Sequence, residues 1–89
     1  MSKPDLSYCF GCGANNPSGL HLEKKYDEAA KTATIDLVVE DWHCGFAGIL
    51  HGGVIATILD EAMSYAIACQ GFDVLTISME LSYRNPGIT

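Results

Sequence analysis

Gly48-Ile49-Leu50-His51-Gly52-Gly53-Val54-Ile55-Ala56-Thr57-Ile58-Leu59-Asp60-Glu61-Ala62-Met63-Ser64-Tyr65-Ala66-Ile67-Ala68-Cys69 is the stretch on which the fold turns. Apolar residues at 54, 55, 58, 59, 62, 63, 66 and 67 recur with the period of a helix, so a helix is predicted from about Gly53 to Cys69, with Gly71 ending it. At 1.5 Å per residue it would be ~25 Å long. It is apolar round most of its circumference, which calls for a central helix wrapped by other elements.

Working outward, two half-buried strands are expected upstream. Leu20, Leu22 and Tyr26 alternate with His21, Glu23 and Lys25, and Ile35, Leu37 and Val39 alternate with Thr34, Asp36 and Glu40. The short polar link between them predicts an antiparallel hairpin over Leu20–Tyr26 and Thr34–Glu40. Downstream, Leu75, Ile77, Met79, Leu81 and Tyr83 alternate with polar residues in a third strand pattern, followed by the turn signal Asn85-Pro86-Gly87. Residues 1–19, dense in Pro, Gly and Asn, read as a loop. The expected class is α+β, a single domain over 1–89. Three strands are too few to enclose such a helix, and the final turn announces a strand beyond it. A partner subunit or a longer chain is therefore expected.

Composition narrows the function. The chain has 89 residues, 48% of them hydrophobic, and a core of this size is marginal without a metal, a disulfide or a partner subunit. Five Lys and Arg against eleven Asp and Glu give a net charge of −6, with no basic stripe to neutralise phosphates, which argues against nucleic acid. Asp60 and Glu61 interrupt the most apolar stretch, Cys44 to Phe72, which argues against a membrane span. No signal peptide is read at the start, so a cytoplasmic address is expected.

Three features carry possible chemistry. At His51-Gly52-Gly53 the free N–H groups of a helix start could polarise a carbonyl oxygen, as in an oxyanion hole; the plainer alternative is a tight turn with His51 hydrogen-bonded locally. Asp60 and Glu61 sit mid-helix among apolar residues, where a carboxylate loses hydration unless it reaches water or a donor. Thr57, Asp60 and Ser64 share one stripe and form a polar track, which could equally be the solvated face. Asp60 lies nine residues from His51, ~13 Å along the axis, too far for both to touch one reacting bond. Two such helices antiparallel across a twofold axis would bring the glycine turn of one opposite the carboxylate of the other. The third feature is Cys9-Phe10-Gly11-Cys12. With His21, His43 or Cys44 it could hold zinc, and it could form a redox pair, but plain free thiols are the adopted reading and no metal or other cofactor is assigned.

Cys9-Phe10-Gly11-Cys12-Gly13, Asn16-Pro17-Ser18-Gly19-Leu20 and Gly48-Ile49-Leu50-His51-Gly52-Gly53 running into Leu59-Asp60-Glu61-Ala62-Met63 resemble the hotdog-fold acyl-CoA thioesterases of the phenylacetate-degradation and 4-hydroxybenzoyl-CoA thioesterase superfamily. The resemblance implies a long helix wrapped by an antiparallel sheet, a homodimer or homotetramer, and hydrolysis of a fatty or aromatic acyl-CoA without metal or cofactor. It implies that the Gly52 N–H polarises the thioester carbonyl and that Asp60 of the other subunit acts as general base or attacks directly. His51 would position the turn, and Gly53, Thr57, Ser64 and Glu61 would line the substrate or hold water. Some relatives place an Asn six residues before the HGG histidine, where this chain has Gly45; His43 or a backbone group would stand in. Family domains also continue with two or three further strands, so a truncated product or fragment is expected. Two other functions remain open on the residues: a non-catalytic acyl-CoA or acyl-carrier binding module, and a small zinc-binding interaction domain built on Cys9 and Cys12.

Overall fold

A computed structural model of the chain describes residues 5–72 and 75–88. Pro4 and Asp73, which enter the sequence reading as a turn former and as the acid following Glu61, lie outside them. The elements run β1 (Glu23–Asp27), β2 (Thr32–Asp36), a single 3-10 turn at Asp41–His43, and α1 (Gly52–Ala68). The class is α+β, with a two-stranded antiparallel sheet against one long helix.

The hairpin forms where expected, in the register Glu23↔Asp36, Lys25↔Thr34 and Asp27↔Thr32. Its turn is held by the Asp27 carboxylate, which accepts from the N–H groups of Ala29 and Ala30 at 3.0 and 3.2 Å. Both strands are shifted from the predicted bounds. β1 begins at Glu23 rather than Leu20 because His21 has φ +53° and the N–H groups of Leu20 and Leu22 are committed to the carbonyls of Phe10 and Gly11, both at 2.8 Å. β2 ends at Asp36 rather than Glu40 because its partner starts at Glu23. The in-out alternation nonetheless persists beyond the pairing, with Leu37 and Val39 half-buried and Val38 exposed.

The inward phase of the hairpin (Lys24, Tyr26, Ala33 and Ile35) faces α1. Tyr26 meets the Tyr65 ring edge-on with centroids 6.4 Å apart, and the Lys24 ammonium lies 4.6 Å over the same ring. Leu20 and Leu22, brought in by the N-terminal loop, are the buried apolar side chains among the described residues.

One expectation is corrected. The segment after the helix is not a strand: residues 75–84 run without ladder pairing, Leu75 and Ile77 stay 86% and 93% exposed, and the backbone bridges only later, at Ile49↔Ile88. Alternation marks which face a strand would bury, but pairing needs a neighbouring edge, and here none is reached. None of the residues of α1 is buried, and Leu59, Met63 and Ile67, at i, i+4 and i+8, form an open apolar stripe on the side the hairpin leaves bare.

Because so little apolar surface is sequestered, each buried leucine matters. Leu22→Ala should lower the unfolding free energy by about 2–4 kcal/mol in urea denaturation, whereas Val38→Ala, at an exposed site, should change it by less than about 0.5 kcal/mol.

Candidate active site

α1 starts on His51, whose side chain caps it. His51 has extended backbone (φ −63°, ψ 133°), and its Nδ1 accepts the N–H of Gly53 at 2.8 Å. The N–H groups of Val54 and Ile55 go to the His51 carbonyl at 3.0 and 3.3 Å. Of the helix-start donors that leaves the Gly52 N–H, which has no acceptor among the described residues. His51 thus caps the helix start through the Gly53 N–H.

Gly52 opens on a cleft of about 560 Å³ lined by Phe46, Leu50, His51, Tyr83, Arg84 and Pro86 among others. Tyr83 lies across the turn: its hydroxyl donates to the Gly52 carbonyl at 2.9 Å, and a Cβ on Gly52 would stand 3.5 Å from its ring. The sequence reading places Tyr83 only as an inward strand residue. Its meeting with Gly52, 31 positions away, comes from the path of the chain after α1.

Asp60 faces a second cleft, of about 310 Å³, with Met63, Ser64, Ile67, Thr76 and Glu80. Its Oδ1 accepts from the Thr76 hydroxyl. Asp60 and Ser64 thus stay together as the polar track predicts. Thr57 does not join them, since its hydroxyl turns back to the Gly53 carbonyl at 2.9 Å, and it lines neither cleft. Thr76 is a site neighbour that the sequence reading missed, because its polar phase in the alternating segment marks only an outward face.

Glu61 points elsewhere. It packs on the N-terminal loop, where the Cys9 thiol donates to Oε1 at 3.2 Å and Cys12 is close by. Gly11 permits this approach, since a Cβ there would fall 2.6–2.7 Å from Glu61 side-chain atoms. His43 is buried with Nδ1 accepting the Glu40 N–H at 3.0 Å and lines neither of these two clefts. His21 is likewise engaged, its Nε2 lying 2.7 Å from the Asn16 carbonyl.

The geometry yields two predictions. His51→Ala should cost about 1 kcal/mol of stability through the lost cap, with His51→Asn recovering most of it in the same urea titration. Burial, then the Glu61 carboxylate and the Cys9 thiol, push the Cys12 thiol up from 9.0 to about 11. Being raised, this group contributes stability that is intact below about pH 9 and lost as pH rises through about 11. In chelator at pH 8, iodoacetamide should modify native Cys12 about tenfold more slowly than the unfolded chain, because a hundredfold loss of thiolate is partly offset by its greater nucleophilicity; peptide mass spectrometry reads the rate.

Comparison with known proteins bears on the same stretch. Residues 47–88 match the thioesterase superfamily model. Acyl-coenzyme A thioesterase 13 from Homo sapiens and from Mus musculus are each 32% identical over 53 residues, covering 57% of this chain and 38% of the relative. The chain thus spans less than two fifths of the length of the curated relatives it matches. No solved structure matches significantly. The segment that carries the glycine turn, the helix and the chain beyond it is thus similar to the thioesterase superfamily, as the resemblance in the sequence implied, and its α+β arrangement is consistent with an incomplete hotdog fold.

Proposed function

We propose that the chain is the site-bearing part of an acyl-CoA thioester hydrolase whose active site is assembled between two copies. The observation that carries this reading is the division of labour along α1. Gly52, whose N–H has no acceptor among the described residues, lines one cleft, and Asp60, eight residues and ~12 Å further along the axis, lines the other. Neither cleft holds both groups. In an antiparallel pair of helices the open stripe of Leu59, Met63 and Ile67 is covered, and the Gly52 cleft of one copy meets the Asp60 cleft of the other.

The chemistry then follows from the groups. The thioester carbonyl oxygen lies against the Gly52 N–H, where the positive helix end stabilises the charge that develops on attack. Asp60 takes a proton from water as it adds to the carbonyl, and the tetrahedral intermediate collapses with release of the coenzyme A thiol. Ser64 borders the water beside Asp60. Tyr83 holds the glycine turn through its carbonyl as a positioning residue, and Arg84 brings positive charge to the cleft for the phosphates of coenzyme A, which the net charge of −6 otherwise repels. The acyl group, fatty or aromatic, and a cytoplasmic setting belong to the same proposal.

Thiol release from a panel of acyl-CoA thioesters tests it. Asp60→Asn should lower kcat by about 10²–10⁴. Mixing Asp60→Asn with Gly52→Pro, each inactive alone, should restore part of the activity, because half of the sites in a mixed pair keep both groups. Equal rates for wild type and Asp60→Asn, or no recovery on mixing, would overturn the shared site.

A further inference from the structure

The N-terminal loop and the helix meet in a cluster that the proposed hydrolysis does not use. We propose that Cys9, Cys12 and Glu61 bind one divalent cation of the zinc class, with two thiolates and one carboxylate as ligands and water in the fourth position. One Sγ from each cysteine and one carboxylate oxygen of Glu61 lie within 4.8 Å of one another, and the Cys9–Glu61 pair is already at 3.2 Å. A tetrahedral zinc ion with bonds of ~2.3 Å to sulfur and ~2.0 Å to oxygen needs ligand-to-ligand edges of roughly 3.5–3.8 Å. The cluster reaches that by small side-chain rotations.

The backbone supports the same geometry. The Gly13 N–H donates to the Cys9 carbonyl at 2.8 Å and closes the C-x-x-C turn, so both thiols project from one knuckle. Gly11, between them, lets that knuckle press on Glu61 without a side chain intervening. The ligand set differs from what the spacing suggested. His21, His43 and Cys44 do not join the cysteines, and the third ligand comes from 49 residues further on, in the middle of α1.

Electrostatics favour a cation there. Two sulfurs and a carboxylate share one half-buried corner, and the Lys24 ammonium, 3.4 Å from the Cys12 Sγ, is the positive charge that stands beside them. A divalent ion takes over that role, and Lys24 keeps its place over the Tyr65 ring. On binding, each thiol gives its proton to solvent, two metal–sulfur bonds and one metal–oxygen bond form, and the ion sheds all but one of its waters. Two thiolates with a carboxylate and a tetrahedral arrangement suit zinc over magnesium or calcium. The ion would tie the loop 5–19 to α1 at the residue next to Asp60. This inference is independent of the hydrolase reading.

Chelator-stripped full chain, checked for folding by circular dichroism, is titrated with zinc against a chromophoric chelator and with cobalt. Expected are one ion per chain, release of thiol protons, and a cobalt spectrum with sulfur-to-metal charge transfer and tetrahedral visible bands. The double variant Cys9→Ser/Cys12→Ser should lose the ion, and Glu61→Gln should bind about tenfold or more weakly. Folded wild type that takes up no ion, cobalt bound without sulfur charge transfer, or wild-type affinity in either variant would overturn the site. The cobalt spectrum of the wild type decides even if a variant fails to fold.

Discussion

The helix α1 is apolar on more sides than one hairpin can cover, and this mismatch governs the molecule. β1 and β2 take one face through Tyr26, Ala33 and Ile35, and the N-terminal loop closes one end of it with Leu20 and Leu22. Leu59, Met63 and Ile67 remain in solvent. An exposed stripe of that kind on a helix is a surface suited to burial, and in the proposed pairing a second copy of the same helix would cover it.

The polar features of α1 depend on that placement. At its start the His51 ring accepts from Gly53, which leaves the N–H of Gly52, a residue lining the larger cleft, without an acceptor among the described residues. The cap thus both begins the helix and leaves free the amide that the proposed hydrolysis uses. Further along, Asp60 and Glu61 are adjacent in sequence yet diverge by the ~100° that separates successive helical residues. One looks to a cleft and a hydroxyl, the other to a pair of thiols. A single helical step separates the proposed hydrolytic carboxylate from the proposed metal ligand.

Tyr83, Thr76 and the C-x-x-C knuckle share a trait. Each meets α1 from a segment without ladder structure, through a contact that no periodicity encodes. Tyr83 fastens the turn at Gly52, Thr76 reaches Asp60, and Cys9 reaches Glu61 across 52 positions. The irregular parts of the chain thereby bring partners to the functional groups of the helix.

What the sequence by itself determined was local: α1 to within one residue at each end, the hairpin and its inward phase, the loop character of the first nineteen residues, and the glycine turn and the acids as the places to look. These follow from residue periodicity, from capping and from turn chemistry, which act over a few positions. Tertiary structure decided the rest. It held the third alternating segment unpaired, since an edge must be found in space; it left α1 half-covered; it separated Thr57 and Glu61 from Asp60 and Ser64; and it brought Glu61, rather than a histidine, to the cysteines. Contacts between distant positions depend on how the chain returns on itself, and spacing along the chain carries no record of that return.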